Sequence, residues 1–353
     1  MNRKDRDSAK KIELGDWLST FKIEVSSSAP IAYSNGLQQI EVSLMVEPVR
    51  NQIITQEHMN SLTVVRLTQD GEYEAIPEQP EHSTTNPEWF FRSERDARFE
   101  YYSDARQMPV PATRAPSMSA VRTKFVYVST VALGGTTVTL HARIRKDNDN
   151  VFVSEGSNQS SIRLSAVRLP NYSYPDSYKW ELTSVTGSLL DSAHVQEWSL
   201  SASKAPFSCA SFIETLPYGM IRWERNDKGV EAASNVGIAL PGIRNISYDP
   251  AIEVGRDFLI RQRKEILSLL YNHHVVVVLQ ADNKIPYYEE GVNQGGPCGV
   301  RAFDIDGNSH DLQFSFDTTQ SSPFGRRTHL LVNANSTAIK DKTPTKSRGG
   351  RSK

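Results

Sequence analysis

The sequence predicts an all-β fold of two β-sandwich domains with at most one helix. Short segments alternate apolar and polar residues with the period of two that a half-buried strand requires. Ile40, Val42, Leu44 and Val46 alternate with Glu41, Ser43, Met45 and Glu47, and Leu312, Phe314 and Phe316 with Gln313, Ser315 and Asp317. Turn dipeptides punctuate them at Asn35-Gly36, Asp70-Gly71, Gly134-Gly135 and Asp306-Gly307. Only one stretch, 256–272, carries an apolar stripe at helical spacing. Many short strands with so little helix indicate sandwiches, and 353 residues suffice for two of them.

Residues 1–19 are charged and read as a flexible arm, followed by a first domain over 20–168. FKIEVSS from Phe21 opens it as a strand, and QQIEVSLMVE follows the Ser34-Asn35-Gly36 turn. LTVVRL and EYEAI form a hairpin about Asp70-Gly71. Between 77 and 116, Pro77, Pro80, Pro87, Pro109, Pro111 and Pro116 exclude a long helix or an unbroken central strand, leaving a loop insertion with EWFFR and RFEYYS as short strands. TKFVYVST and TTVTLHARIR come next, with Val138, Leu140, Ala142 and Ile144 inward and His141, Arg143 and Arg145 outward. SIRLSAV repeats the alternation, and the two prolines of LPNYSYPDS mark the domain edge, between 168 and 177.

A second domain is expected over 177–335. YKWELTS, EWSLSA and GMIRWER are its first strands, with Ile221 and Trp223 on one face of the third; VGIAL and IRNISYD flank Pro241-Gly242. RDFLIRQRKEILSLLYN then reads as a helix with a stripe of Leu259, Ile260, Ile266, Leu267 and Leu270, or as two strands turning at RQRKE. The apolar strand HVVVVLQAD, a Pro/Gly-rich excursion, the VRAFDI–LQFSFD hairpin and THLLVN complete it. The tail 336–353 carries Lys340, Lys342, Lys346, Arg348, Arg351 and Lys353 against Asp341 alone and reads as disordered.

FKIEVSSSAP, the SNG turn before QQIEVSLMVEPV, and VYVSTVALGGTTVTLHARI together resemble the bacterial immunoglobulin-like modules of the invasin/intimin kind, over roughly Phe21 to Ile144. The Pro-rich insertion lengthens the unit beyond such a module, and no second copy of the motif recurs. The resemblance implies an immunoglobulin-like sandwich used for spacing, adhesion or recognition, and it carries over no catalytic residue.

Forty Lys plus Arg against 41 Asp plus Glu give a formal net charge of -1, which supplies no global attraction to nucleic acid or an anionic membrane. Cys209 and Cys298 are too few for a disulfide framework. The charged N-terminus lacks an apolar h-region and no stretch is long enough to span a bilayer, so the expectation is no cleavable signal peptide, with a cytoplasmic place or a non-classical export route. No sequence signal sets the oligomeric state, a cofactor or a metal.

The chemistry-bearing candidates each have a plainer reading. DIDGNSHD from Asp304 alternates oxygen ligands but places Gly307 fourth and Ser315 twelfth, against the sixth-place Gly and twelfth-place Glu of an EF-hand, so it reads as a turn. His273 and His274 are neighbours that a strand sends to opposite faces. Glu289-Glu290 carries no spacing information for a glycosidase pair, and no hydrolase or nucleotide-binding motif is present. What the sequence does offer is aromatic surface: Trp89, Phe90, Trp180, Trp198, Trp223, Tyr287 and Tyr288 are the candidate binding residues, for a protein or glycan partner. The expected function is therefore a non-enzymatic recognition or structural module, with a secreted toxin or effector acting on membranes, or a hydrolase without a local motif, as alternatives.

Overall fold

The alternating segments become β1 to β19 in a computed structural model, whose described residues are 13–79, 87–102, 121–155, 160–187, 193–225, 231–268, 272–284 and 293–336. The chain divides into two compact units, Met1–Leu169 and Pro170–Lys353. The expectations for the far N-terminal arm, for the tail beyond 336 and for 80–86 and 103–120 of the insertion lie outside the described residues.

In the first unit β1 (Leu18–Val25), β3 (Ile40–Pro48), β7 (Arg122–Thr130) and β6 (Trp89–Arg92) form one sheet in the order β1-β3-β7-β6. The facing sheet runs β2 (Ile31–Tyr33), β10 (Ser161–Val167), β8 (Thr137–Arg145), β4 (Thr63–Leu67), β5 (Tyr73–Ala75), with β9 (Val151–Val153) also paired to β8. β2 pairs with β10 in parallel; every other strand pairing of this unit is antiparallel. Read in chain order, the strand sequence matches the A-B-E-D and G-F-C-C′ order of immunoglobulin-type sandwiches, with β2 beside the strand in the G place. The core is what the alternation predicts: Ile40, Val42, Leu44 and Val46 meet Leu140, Ala142 and Ile144 from the other sheet.

Three local features depart from the sequence expectation. Trp17 and Leu18 are each 1% exposed, so the ordered chain starts ahead of residue 20; Trp17 packs edge-on against His58 at 5.1 Å. The six-residue helix α1 (Gln56–Ser61) was not anticipated, although Thr55 accepts from His58 N in a capping box. The described part of RFEYYS, 98–102, forms no strand, whereas WFFR does, and Phe91 N and O bond Pro77 O and Gln79 N.

The second unit pairs β11 (Tyr178–Thr186), β12 (Ala193–Ala202), β16 (Val275–Asp282), β15 (Glu231–Ala239) and β14 (Met220–Arg225) in that order. Opposite lie β13 (Phe207–Phe212), β17 (Cys298–Asp304), β18 (Ser309–Phe316) and β19 (Leu330–Ser336). The orders β11-β12-β16-β15 and β13-β17-β18 again correspond to A-B-E-D and C-F-G, extended by β14 and β19 at their edges. The plan recurs although the sequence motif does not. Val275, Val277 and Leu279 face Leu312, Phe314 and Val300 between the sheets.

All eight residues of β16 are buried, which a one-sided core does not explain. The outer face is covered by a strap, residues 241–268, that lays Ile246 and Ile266 on Val276 and Val278. Gly237 permits the approach, since a Cβ there would stand 2.6 Å from Ile246 Cγ2. The expected helix at 256–272 is accordingly short: α2 (Arg256–Arg261) ends before Gln262, and the chain runs extended with Ile246 N on Lys264 O and Ile266 N on Arg244 O. Leu259, Ile260 and Leu267 of the expected stripe are 53%, 73% and 58% exposed, and of its described members only Ile266 enters this core; Leu270 lies outside the described residues. A further six-residue helix, α3 (Pro323–Thr328), opens on Ser322, whose Oγ accepts from Gly325 N.

The hairpin between β17 and β18 has a four-residue connection, residues 305–308, rather than the tight two-residue turn that Asp-Gly suggests. Gly307 N bonds Asp304 O at 2.9 Å and Gly307 takes φ +81°. Gly307→Ala places a side chain in the left-handed region and is expected to cost about 1–2 kcal/mol, read as a lower urea midpoint with an unchanged slope.

Candidate recognition surface

Burial sorts the candidate aromatics. Trp89 (3% exposed) lies in the first core, and Phe90 (1%) on the other side of β6 against the Gly36 turn. Trp223 (8%) is covered from the strap side by Ile252 and Phe258. None of these three rings is available as a platform: each sits on a strand whose two faces are both covered. Phe91 and Phe99 are buried as well. Tyr287 and Tyr288 lie outside the described residues, as do Glu289 and Glu290.

Trp180 and Trp198 differ. Both are half-buried and stack at 5.2 Å with an interplanar angle of 12°. β11 and β12 bring them together because Trp180 pairs with Leu200 and Leu182 with Trp198, so the two rings are diagonal neighbours on the inward face. Trp198 Nε1 donates to Gln196 Oε1 at 3.0 Å, and Phe314 stands 5.6 Å from the other ring. β11 is the outer strand of its sheet among the described residues. It shows Leu182 and Val185 at 45% and 44% exposure, on either side of a register shift between Leu182 and Ser184. A stacked pair at a strand edge, flanked by open aliphatic side chains, is apolar surface of the kind that partners cover. Leu182 continues the alternation of Tyr178 and Trp180 and so carries no sequence sign of exposure, whereas Val185 falls out of that phase across the register shift.

The polar residues with possible chemistry are occupied by structure. Asp304, fully buried, accepts from Asp306 N, Asn308 N, Asn308 Nδ2 and Tyr172 Oη, so its oxygens face inward and the ligand-like spacing serves the turn. His310, also fully buried, reaches Asp304 Oδ2 with Nε2 at 3.3 Å and Tyr178 Oη with Nδ1 at 2.9 Å. Burial, and then the Asp304 charge, pushes the Tyr178 phenol up. An Asp–His–Tyr relay closed from solvent ties the hairpin to the start of β11 and has no substrate access. His273 and His274 part as expected: one meets Phe207 O, the other Ser199 Oγ. Cys209 and Cys298 are not joined in a disulfide, and burial pushes the Cys298 thiol up to about 12, away from the thiolate that nucleophilic chemistry requires.

In the first unit a cavity of about 530 Å³ is lined by Glu78, Gln79 and the 92–97 loop, with carboxylates and guanidinium groups interleaved. No group of three or more His, Cys, Asp or Glu side chains among the described residues is placed to hold a metal ion. No helix among them is long and apolar enough to cross a membrane.

No family model matches the chain, and no curated protein does. Similar solved structures include the collagen-binding domain of surface protein RspB from Erysipelothrix rhusiopathiae, at 10% identity and a TM-score of 0.23 over 91% of this chain and 97% of that one. Another is a Corynebacterium diphtheriae protein described as membrane anchored, at 11% identity and a TM-score of 0.15 over 90% of this chain and 57% of that one. At such scores neither likeness bears on fold or partner, and the sandwich assignment rests on strand order and core.

Proposed function

We propose that the chain is a non-enzymatic recognition module that receives an extended protein segment along β11. The observation that supports it is the half-exposed Trp180–Trp198 stack beside the open Leu182 and Val185. Sugar recognition needs a free ring face, whereas Trp180 has Trp198 against it and Phe314 close by. A segment laid alongside an outer strand instead uses the unpaired main-chain groups for affinity and alternate side chains for choice. Lys179 and Glu181, which pair with each other at 2.9 Å, are the charged residues that keep such an edge from pairing indiscriminately.

The test is a displayed library of random extended peptides screened in parallel with a glycan array. Peptides are expected to be captured, quenching or shifting tryptophan fluorescence. Leu182→Glu and Val185→Glu, both at exposed positions, are expected to weaken capture about tenfold or more while leaving the thermal midpoint near wild type. Glycan capture without peptide capture would replace the protein partner by a sugar, and two empty screens would remove the recognition reading.

A further inference from the structure

The outward face of β10, β8 and β4 carries cations and no carboxylate. Ala142 and Ile144 are fully buried, so strand parity sends His141, Arg143 and Arg145 outward; Ile162 and Leu164 do the same for Arg163. The other outward positions of these three strands are Thr, Ser, Val and Leu. Arg143 and Arg145 have no ion-pair partner among the described residues. Arg66, Arg98, Arg222, Arg261, Arg263, Arg301 and Arg326, by contrast, each hold a carboxylate. Alternate positions on one strand face leave the backbone about 6.6 Å apart, so two uncompensated guanidinium groups carried there both gain from an anion held between them.

The chain shapes a place for one. Arg143 and Arg145 line, with Ser61 and Val151, a concavity of about 310 Å³. Ser61 Oγ is engaged by His58 O and by the main chain of Arg145, which fixes the rim and leaves the guanidinium groups as the free donors. Val151, 49% exposed, supplies an apolar wall. We propose that this cleft binds the sulfate or carboxylate group of an acidic saccharide, the guanidinium forks holding the oxyanion and Val151 meeting the apolar edge of the ring. A nucleic acid fits less well, because no aromatic side chain lines the cleft to stack a base and the net charge of -1 gives no field for a phosphate chain. The site is on the first unit and does not depend on the β11 reading.

The experiment is titration calorimetry of the full chain with a heparin-derived hexasaccharide, with inorganic sulfate and with an oligothymidylate of matching charge. The hexasaccharide is expected to bind, and Arg143→Gln or Arg145→Gln to weaken it about tenfold to a hundredfold. Arg163→Gln removes a cation of the same sheet outside the cleft, already bonded to Thr137 Oγ1. It is expected to leave the affinity within about twofold, as bulk charge alone would not. Both arginines are on the surface, and unchanged thermal midpoints would confirm that the variants fold. The proposal is overturned if the double variant binds the hexasaccharide like wild type. It is overturned equally if oligothymidylate binds as tightly with the same losses, or if inorganic sulfate matches the saccharide, which would leave a simple anion site.

Discussion

Glu197→Ala is expected to lower the stability of the second unit by about 3–5 kcal/mol, the usual loss when one member of a buried charge pair is removed. Glu197 is fully buried on β12, and its Oε1 accepts from Arg263 Nη1 at 3.0 Å and Leu267 N at 2.8 Å, while Oε2 accepts from Ser268 N at 3.1 Å. Truncation would strand a guanidinium that is only 17% exposed, together with two main-chain donors. The same carboxylate holds down the strap that covers Val276 and Val278, so the loss has a local signature. Amide exchange over 263–268 is expected to accelerate before global unfolding, and Glu197→Gln, which keeps one acceptor and the shape, is expected to lose less. Urea denaturation of the three proteins reads both effects. A wild-type midpoint for Glu197→Ala would mean that Ile266 and the Gln280 bonds to Arg261 O and Arg263 N hold the strap unaided.

The strap also shows where sequence reasoning stops. β3, β8 and β18 are legible because one face meets a core and the other meets water, and period two follows directly. β16 loses that signal: Val275 to Ala281 is buried on both faces, and only a long-range cover explains it. The stripe at 256–272 has helical spacing, yet Glu197, more than 60 residues away, claims the amides of Leu267 and Ser268 and keeps them extended. Tertiary demand thus overrides a local period. α1 and α3 were within reach of the sequence, since Thr55 with His58 and Ser322 with Pro323 are capping signatures, but both helices are too short for a stripe. The site divides in the same way. That Trp180 and Trp198 are aromatic is a fact of sequence. That they stack at an edge while Trp89 and Trp223 are covered depends on strand order, which no local pattern encodes.

The second unit is expected to lose stability as the pH falls from about 6.5 towards 4, because of His194. Its ring is 2% exposed, neither nitrogen has a hydrogen-bond partner, and Phe324 of α3 lies 6.0 Å away. Burial, and then the nearby Arg327 charge, lowers its pKa from 6.5 to about 4. Arg327 is itself 3% exposed and bonds Ser234 Oγ and Asn283 Oδ1; burial pulls it down to about 10, against the favourable charges of Asp282 and Glu224. Glu224 is already held by Arg222 and Arg326, so it gives little help to a second cation. The sign follows from proton counting. Above about pH 6.5 His194 is neutral in both states and contributes no penalty. Between 6.5 and 4 the unfolded chain binds the proton and the folded chain refuses it, so stability declines, by about 3 kcal/mol for a shift of this size. Below about 4 both states are protonated and the penalty is constant. His194→Phe removes the titration and two unpaired nitrogens while keeping an aromatic ring against Phe324. Thermal midpoints measured across this range are expected to fall for the native chain and to change much less for the variant, with the curves converging near pH 7. Equal slopes for the two proteins would assign the acid sensitivity to other groups.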